Sequence, residues 1–169
     1  MILPVLLGAV LQVAATALPN GHDDVTWGMT VSDVKSLHEV HKAGEGSQYS
    51  YADHMEKDPE VYVRRTGDNK KIEYYFFEGK LYKIYVVYDR NVSTQEFYLD
   101  LIGKAQKQYG KFQSNYQENV MGITVLHVKW DDGQSIMDLR NGAGYVYEVL
   151  IDKAAKKKKL LEQQRDRSI

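Results

Sequence analysis

The chain of 169 residues has no cysteine and only three prolines, and neither lysine nor arginine precedes Lys35. Lack of cysteine excludes a disulfide framework, a zinc–thiolate centre, a thiol nucleophile and lipid attachment through an N-terminal cysteine. Stability must then come from a packed core. Reaction motifs are missing too: there is no His-Glu-x-x-His helix and no G-x-S-x-G nucleophile turn. Gly142-Ala143-Gly144 leads into a strand pattern with no Lys-Ser/Thr behind it, so it is not a phosphate loop. Asp131-Asp132-Gly133 lacks the ligand spacing and terminal glutamate of a calcium loop and reads as a hairpin turn. His38 and His41 stand at helical i, i+3 spacing without a third ligand. His22-Asp23-Asp24 lies in a stretch read as mobile, where holding a cation would cost ordering entropy. No metal, no cofactor and no catalytic residue is expected.

What is present is unevenly distributed. The formal net charge is −1, but from Lys153 onward seven basic residues face only Glu162 and Asp166. A weakly acidic body therefore carries a basic tail, residues 153–169, with a run at Lys156–Lys159. The run reads first as a solvated, fraying helical tail and second as a weak contact for anionic lipid, cell-wall polymer or an acidic partner. Nucleic acid is not expected, because no aromatic residues interleave the lysines. At the other end, Ile2 to Leu18 is uncharged and contains Ala15-Thr16-Ala17, the A-x-A pattern of a signal-peptidase site. Residues 1–17 read as a signal peptide, with an uncleaved apolar anchor or a buried core element as the alternatives.

Periodicity organises residues 18–152 as a single α+β domain. Thr30 caps a first helix, with Asp33 at N3 and a Met29–Val34 staple, running to about His41 and stopped by Gly44-Glu45-Gly46. Ser47 to Glu60 reads as a loop with a short strand at Tyr49–Ala52, and Val61–Arg65 as a strand. Two aromatic and β-branched runs, Ile72–Phe77 and Leu81–Tyr88, form a hairpin around Glu78-Gly79-Lys80. A three-residue bulged loop, favoured because it sets Glu73 opposite Lys83, puts Ile72, Tyr74, Phe76, Tyr82, Ile84, Val86 and Tyr88 on one apolar wall. The second helix is capped by Ser93 with Glu96 at N3 and a Val92–Phe97 staple, and ends at Gly110. Three strands follow: Ile123–Trp130, Ser135–Arg140 and Tyr145–Asp152. The expected fold is a curved antiparallel sheet of about six strands with two helices on one face. It repeats as αβββ-αβββ, with pseudo-halves 25–90 and 91–152.

The chain holds thirteen tyrosines against four phenylalanines. The hairpin face not needed for the core carries Tyr75, Leu81, Tyr85 and Val87. If no layer covers it, these four make an exposed aromatic patch suited to binding a protein or glycan; the alternatives are that a tail or the N-terminal segment packs there, or that the tyrosines simply keep their hydroxyls in water.

The opening Trp27-Gly28-Met29-Thr30-x-x-Asp33-Val34, the hairpin Phe77-Glu78-Gly79-Lys80-Leu81 and a helix ending in Tyr109-Gly110 together resemble small exported bacterial domains. These are the SmpA/OmlA-type outer-membrane assembly lipoproteins and the secreted β-lactamase-inhibitor proteins, the latter a tandem of helix-plus-sheet halves. The chain lacks the lipid-bearing cysteine of the first and the cysteine pairs of the second. The resemblance, spanning residues 25–152, implies an exported, periplasmic or secreted, non-enzymatic binding or structural module of the cell envelope. Its expected partner is an envelope protein or cell-wall polymer, and it would touch a membrane only through an uncleaved N-terminus or the Lys156–Lys159 run. A hydrolase-type envelope enzyme without a recognisable motif is the alternative.

Overall fold

The computed structural model describes residues 16–43 and 60–166. The apolar leader up to Ala15, the helix stop at Gly44–Gly46 and the strand expected at Tyr49–Ala52 lie outside the described residues.

Among the described residues, ten strands and three helices follow in the order β1 (Gly21–His22), β2 (Val25–Thr26), α1 (Val31–Leu37), β3 (His41–Lys42), β4 (Glu60–Arg65), β5 (Lys70–Phe77), β6 (Lys80–Tyr88), α2 (Gln95–Tyr109), β7 (Ser114–Val120), β8 (Ile123–Asp131), β9 (Ser135–Gly142), β10 (Tyr145–Asp152) and α3 (Lys153–Asp166). Strands β1 and β2 make a separate small ribbon. The other eight form one sheet in the order β3-β4-β5-β6-β10-β9-β8-β7. All its neighbours run antiparallel. Each half is thus a helix followed by a four-strand meander, and the two meanders join through their last strands, where Ile84 pairs with Leu150 and Val86 with Glu148. The α+β class and the repeated order of elements are as expected. The sheet is wider, by one edge strand in each half.

Helices α1 and α2 cover one face. Val34, Tyr98 and Ala105 from the helices are buried with Ile72, Tyr74, Phe76, Ile84, Val86, Trp130, Leu139 and Leu150 from the sheet, and Phe97 and Leu101 pack against the same cluster. Helix α3 lies on the opposite face: Ala155 packs against a second buried cluster of Val61, Tyr75, Tyr82, Tyr85, Val87, Val149 and Ile151. The basic segment is therefore ordered against the sheet. Lys158 pairs with Glu78, and Lys159 is buried with its ammonium 2.8 Å from the Tyr82 hydroxyl. Amphipathic stems let lysines lie along apolar surface in this way.

Three local expectations are corrected. Helix α1 stops at Leu37, because His38 is already extended and His41–Lys42 pair with β4 instead. The cap of α2 is Thr94, whose side chain accepts the Phe97 amide. Ser93 is spoken for elsewhere: its hydroxyl donates to the carbonyls of Tyr88 and Asp89 and accepts the Val146 amide.

The hairpin register also differs. Glu78 and Gly79 both take positive φ, 49° and 70°, which makes a two-residue turn whose twist suits the strands. Pairing runs Phe77 with Lys80 and Phe76 with Leu81, then slips so that Tyr75 faces Lys83 and Glu73 faces Tyr85. The backbone of Leu81 meanwhile bonds Gly28 and Met29, at 3.0 and 2.9 Å. One extra residue exchanges the faces of its neighbours. Leu81 joins the helix-side core and Tyr82 the α3 side.

Candidate functional site

The four residues expected to form an exposed patch do not form one. Tyr75, Tyr85 and Val87 lie on the α3 face but are buried, Tyr85 completely, and Leu81 points to the other face because of the bulge. The sealed face is aromatic as expected, and it also holds charge. Lys83 is buried with its ammonium 4.4 Å from the Tyr75 ring centre and 5.5 Å from those of Tyr82 and Tyr85. Glu73, equally buried, accepts the Tyr75 hydroxyl at 2.8 Å and lies 2.7 Å from the Lys71 ammonium. Further along, Arg140 donates to the Tyr85 hydroxyl at 3.0 Å and to Asp138 Oδ2 at 2.8 Å. The same Asp138 oxygen lies 3.1 Å from His127 Nδ1. Tyr116, on edge strand β7, stacks on that imidazole at 4.5 Å. Buried charges persist only when paired and hydrogen-bonded, and cation, carboxylate and tyrosine alternate here to meet that need.

The open site is on the helix face. The β1–β2 ribbon crosses it and walls a cleft of about 390 Å³. Ribbon residues Gly21, His22 and Asp23 form one side, and Tyr109, at the end of α2, meets Glu148 and Leu150 of β10 on the other. The ribbon needs Gly21: its φ is +128°, and a β-carbon there would come 1.9 Å from the Val25 carbonyl oxygen. Val25 itself is fully buried and anchors the ribbon in the core. The segment expected to be mobile is thus folded.

Alternation along β10 explains why Glu148 is here. Val146 and Leu150, two residues to either side, are buried in the helix-side core, so Glu148 shares their face. Burial pushes its carboxyl above the ordinary 4.5, against the opposing effects of the Tyr88 hydroxyl and the Lys70 charge. The Tyr88 hydroxyl donates to Glu148 Oε2 at a long 3.4 Å. Burial likewise pushes Tyr88 and Tyr109 upward, reinforced in each by the Glu148 charge.

His22 is held below the ordinary 6.5, first by burial and also by the charges of Lys70 and Arg64, although Asp23 pulls it up. Its Nδ1 lies 3.2 Å from Asp23 Oδ2 without a hydrogen bond to it. Beside the ribbon, His38 Nε2 lies 2.6 Å from Asp24 Oδ1. That contact holds Asp24 below the usual carboxylate range. Arg64 Nη1 is 3.2 Å from the same His38 nitrogen and 3.9 Å from Asp23. With the short contact taken as the hydrogen bond, His38 donates to Asp24 and Arg64 acts as a neighbouring charge. His38 and His41 do not converge, since His41 sits exposed on β3.

Chemically, the cleft offers a carboxyl able to hold a proton above its ordinary range, an imidazole held below its ordinary range and the Tyr109 ring and hydroxyl. Among the described residues no group of three or more potential ligands is arranged to hold a metal ion. Sequence reasoning missed Glu148, yet a signal existed: in Tyr145–Asp152 it is a charge set between Val146 and Leu150 on the face they share. Compared with protein-family models, curated proteins and solved structures, the chain finds no match in any of the three.

Proposed function

We propose that this chain is an exported α+β binding module of the bacterial envelope that takes a small ligand bearing an amine or other hydrogen-bond donor into the cleft between the β1–β2 ribbon and β10. The observation that carries this reading is Glu148, a carboxyl facing the cleft whose one hydrogen bond among the described residues is the long contact from Tyr88. A cationic or donor group would relieve the cost of a poorly partnered acid. Tyr109 beside it supplies an aromatic surface suited to an ammonium. Compared with the sequence-based expectation, the reading keeps an exported, non-enzymatic module and moves the contact from the aromatic sheet face to the cleft.

Export is supported by the uncharged stretch Ile2–Leu18 with its Ala15-Thr16-Ala17 pattern, and by the resemblance to exported envelope domains. Among the described residues no helix is long and apolar enough to cross a membrane. An envelope protein or cell-wall polymer presenting such a group is the partner in this reading. Contact of the Lys156–Lys159 run with anionic surface would rely least on Lys158 and Lys159, which are engaged with Glu78 and Tyr82.

The test is a titration of the isotope-labelled chain with ethanolamine and spermidine, followed by amide shifts. Changes concentrated at Gly21–Thr26, Tyr109 and Glu148, and abolished by Glu148→Gln, support the reading. Silence in the cleft, or shifts confined to Tyr75 and Tyr85, contradicts it.

The juxtaposition of a protonatable Glu148 with an uncharged His22 favours one second reading, a hydrolase using them as acid and base. Turnover of a chromogenic ester, phosphate or glycoside that vanishes in Glu148→Gln but not in Tyr85→Phe would establish it. Absence of turnover across that panel would leave the binding reading alone.

A further inference from the structure

Leu18 occupies a boundary. Thr16 and Ala17 are exposed, while the Leu18 side chain is 8% exposed and belongs to the helix-side core. Its backbone nitrogen lies 2.9 Å from Asp132 Oδ2, in the β8–β9 turn, across 114 positions of sequence. The other oxygen, Oδ1, is already committed, accepting the amides of Gln134 and Ser135 at 2.9 and 2.7 Å. The turn is tied to the ribbon once more, by Trp27 Nε1 donating to Ser135 Oγ at 3.2 Å. No lysine, arginine or histidine among the described residues stands within ion-pair distance of Asp132. The neighbouring Asp131 has a cation of its own, Lys153 at 2.8 Å.

We infer that the bond between Ala17 and Leu18 is a processing site for a peptidase selecting small residues at the first and third positions before the cut, and that the α-ammonium so created is captured by Asp132. Ala17 and Ala15 are those two positions. Hydrolysis adds one water: Ala17 keeps the new carboxylate, and the Leu18 nitrogen goes from an amide with one donor to an ammonium with three donors and a positive charge. The atom that gains the charge is the one already at hydrogen-bond distance from an unpaired carboxylate oxygen. The cut therefore turns a neutral hydrogen bond into a charge-assisted one, about twice as strong. Burial raises the Asp132 carboxyl, but the amides of Ser135, Gln134 and Leu18 outweigh it, so the acid is ionised and ready to receive a cation. Two residues beyond, Pro19 and Asn20 enter the cleft wall. The latch thus fixes where the ribbon begins.

This inference rests on the export reading, and the experiment separates the two. The full chain is expressed with its own N-terminal stretch in a bacterial host, and the exported product is weighed by mass spectrometry. The expected N-terminus is Leu18. An exported product that starts anywhere but Leu18 overturns the site and leaves export intact, whereas a chain that keeps Met1 and is not exported overturns the export reading as well. In the product starting at Leu18, the α-amine is then titrated by the pH dependence of its acetylation, with Asp131, Lys153 and Asp132 as the charged groups around it. The expected midpoint is about one unit or more above the ordinary ~7.7–8.0 of a free α-amine, so labelling near pH 7 is about tenfold slower than in a model peptide. In Asp132→Asn, with folding verified by circular dichroism, the rate returns towards the peptide value. An ordinary midpoint in the wild-type product overturns the latch while leaving export intact, and this result does not depend on the variant folding.

Discussion

The two faces of the sheet are built on opposite principles. Under α1 and α2 the layer is mostly apolar, filled by Ile72, Tyr74, Ile84, Trp130 and Leu139, and the Glu148 carboxyl opens into a cleft. Under α3 the layer mixes Tyr75, Tyr82 and Tyr85 with Glu73, Lys83, Asp138 and His127, all buried. Burial by itself therefore does not mark function in this molecule. On the α3 face charged groups contact one another, although Asp138 Oδ1 and His127 Nε2 have no hydrogen-bond partner among the described residues; on the helix face Glu148 lines an open cleft with one long hydrogen bond, from Tyr88. The difference lies in partners.

The largest test of that contrast is Asp138→Ala. It would take from His127 Nδ1 and Arg140 Nε the carboxylate oxygen they share, and removing one member of a buried ionic group costs about 3–5 kcal/mol. Denaturant unfolding should show this loss, whereas a cost below about 1 kcal/mol would mean the face is wetter than described. Next comes Ile84→Ala, a cavity in the mostly apolar layer, expected to cost about 2–4 kcal/mol by the same measurement. Its effect should be nearly insensitive to pH. Gly21→Ala should follow at about 1–3 kcal/mol, since an alanine is both strained at that φ and too close to Val25. Its diagnostic sign is loss of amide protection in the ribbon with the sheet's protection retained. Smallest, Thr94→Ala should cost about 1 kcal/mol through the lost cap of α2. Equal stability of Thr94→Ala and wild type would instead place the cap back at Ser93.

How much of this was legible follows from the same physics. Hairpin β5–β6 shows in the sequence because two β-branched and aromatic runs flank Gly79, and the meander β8–β10 because its strands are separated by clear turn residues. Strand β7 is almost wholly exposed, so no burial imposes alternation on Ser114–Val120, and it left no trace. The β1–β2 ribbon is too short for any period and declares itself only through Gly21 and the buried Val25. The bulge was invisible because it depends on Leu81 bonding Gly28 and Met29, about fifty positions earlier. That slip is why Leu81 was assigned to the wrong face and Tyr82 to the core wall. A tail was one candidate cover for the aromatic face, but the lysine-rich segment has no apolar stripe to single it out, and it is Ala155 that packs there. Glu148 was readable in retrospect, as a charge between Val146 and Leu150 on a core-facing parity.

The account stands most directly on the ionisation of Glu148. A folded carboxyl above its ordinary 4.5 keeps a proton that the unfolded chain has already lost. The folding free energy should therefore weaken as pH rises above that value, and Glu148→Gln should remove this part of the slope. Carbon-13 titration of the Glu148 side-chain carboxyl in the full chain reads the same quantity at its source. A midpoint above 4.5 that falls when an amine occupies the cleft is the predicted result, and one at or below 4.5 in the free protein would contradict it.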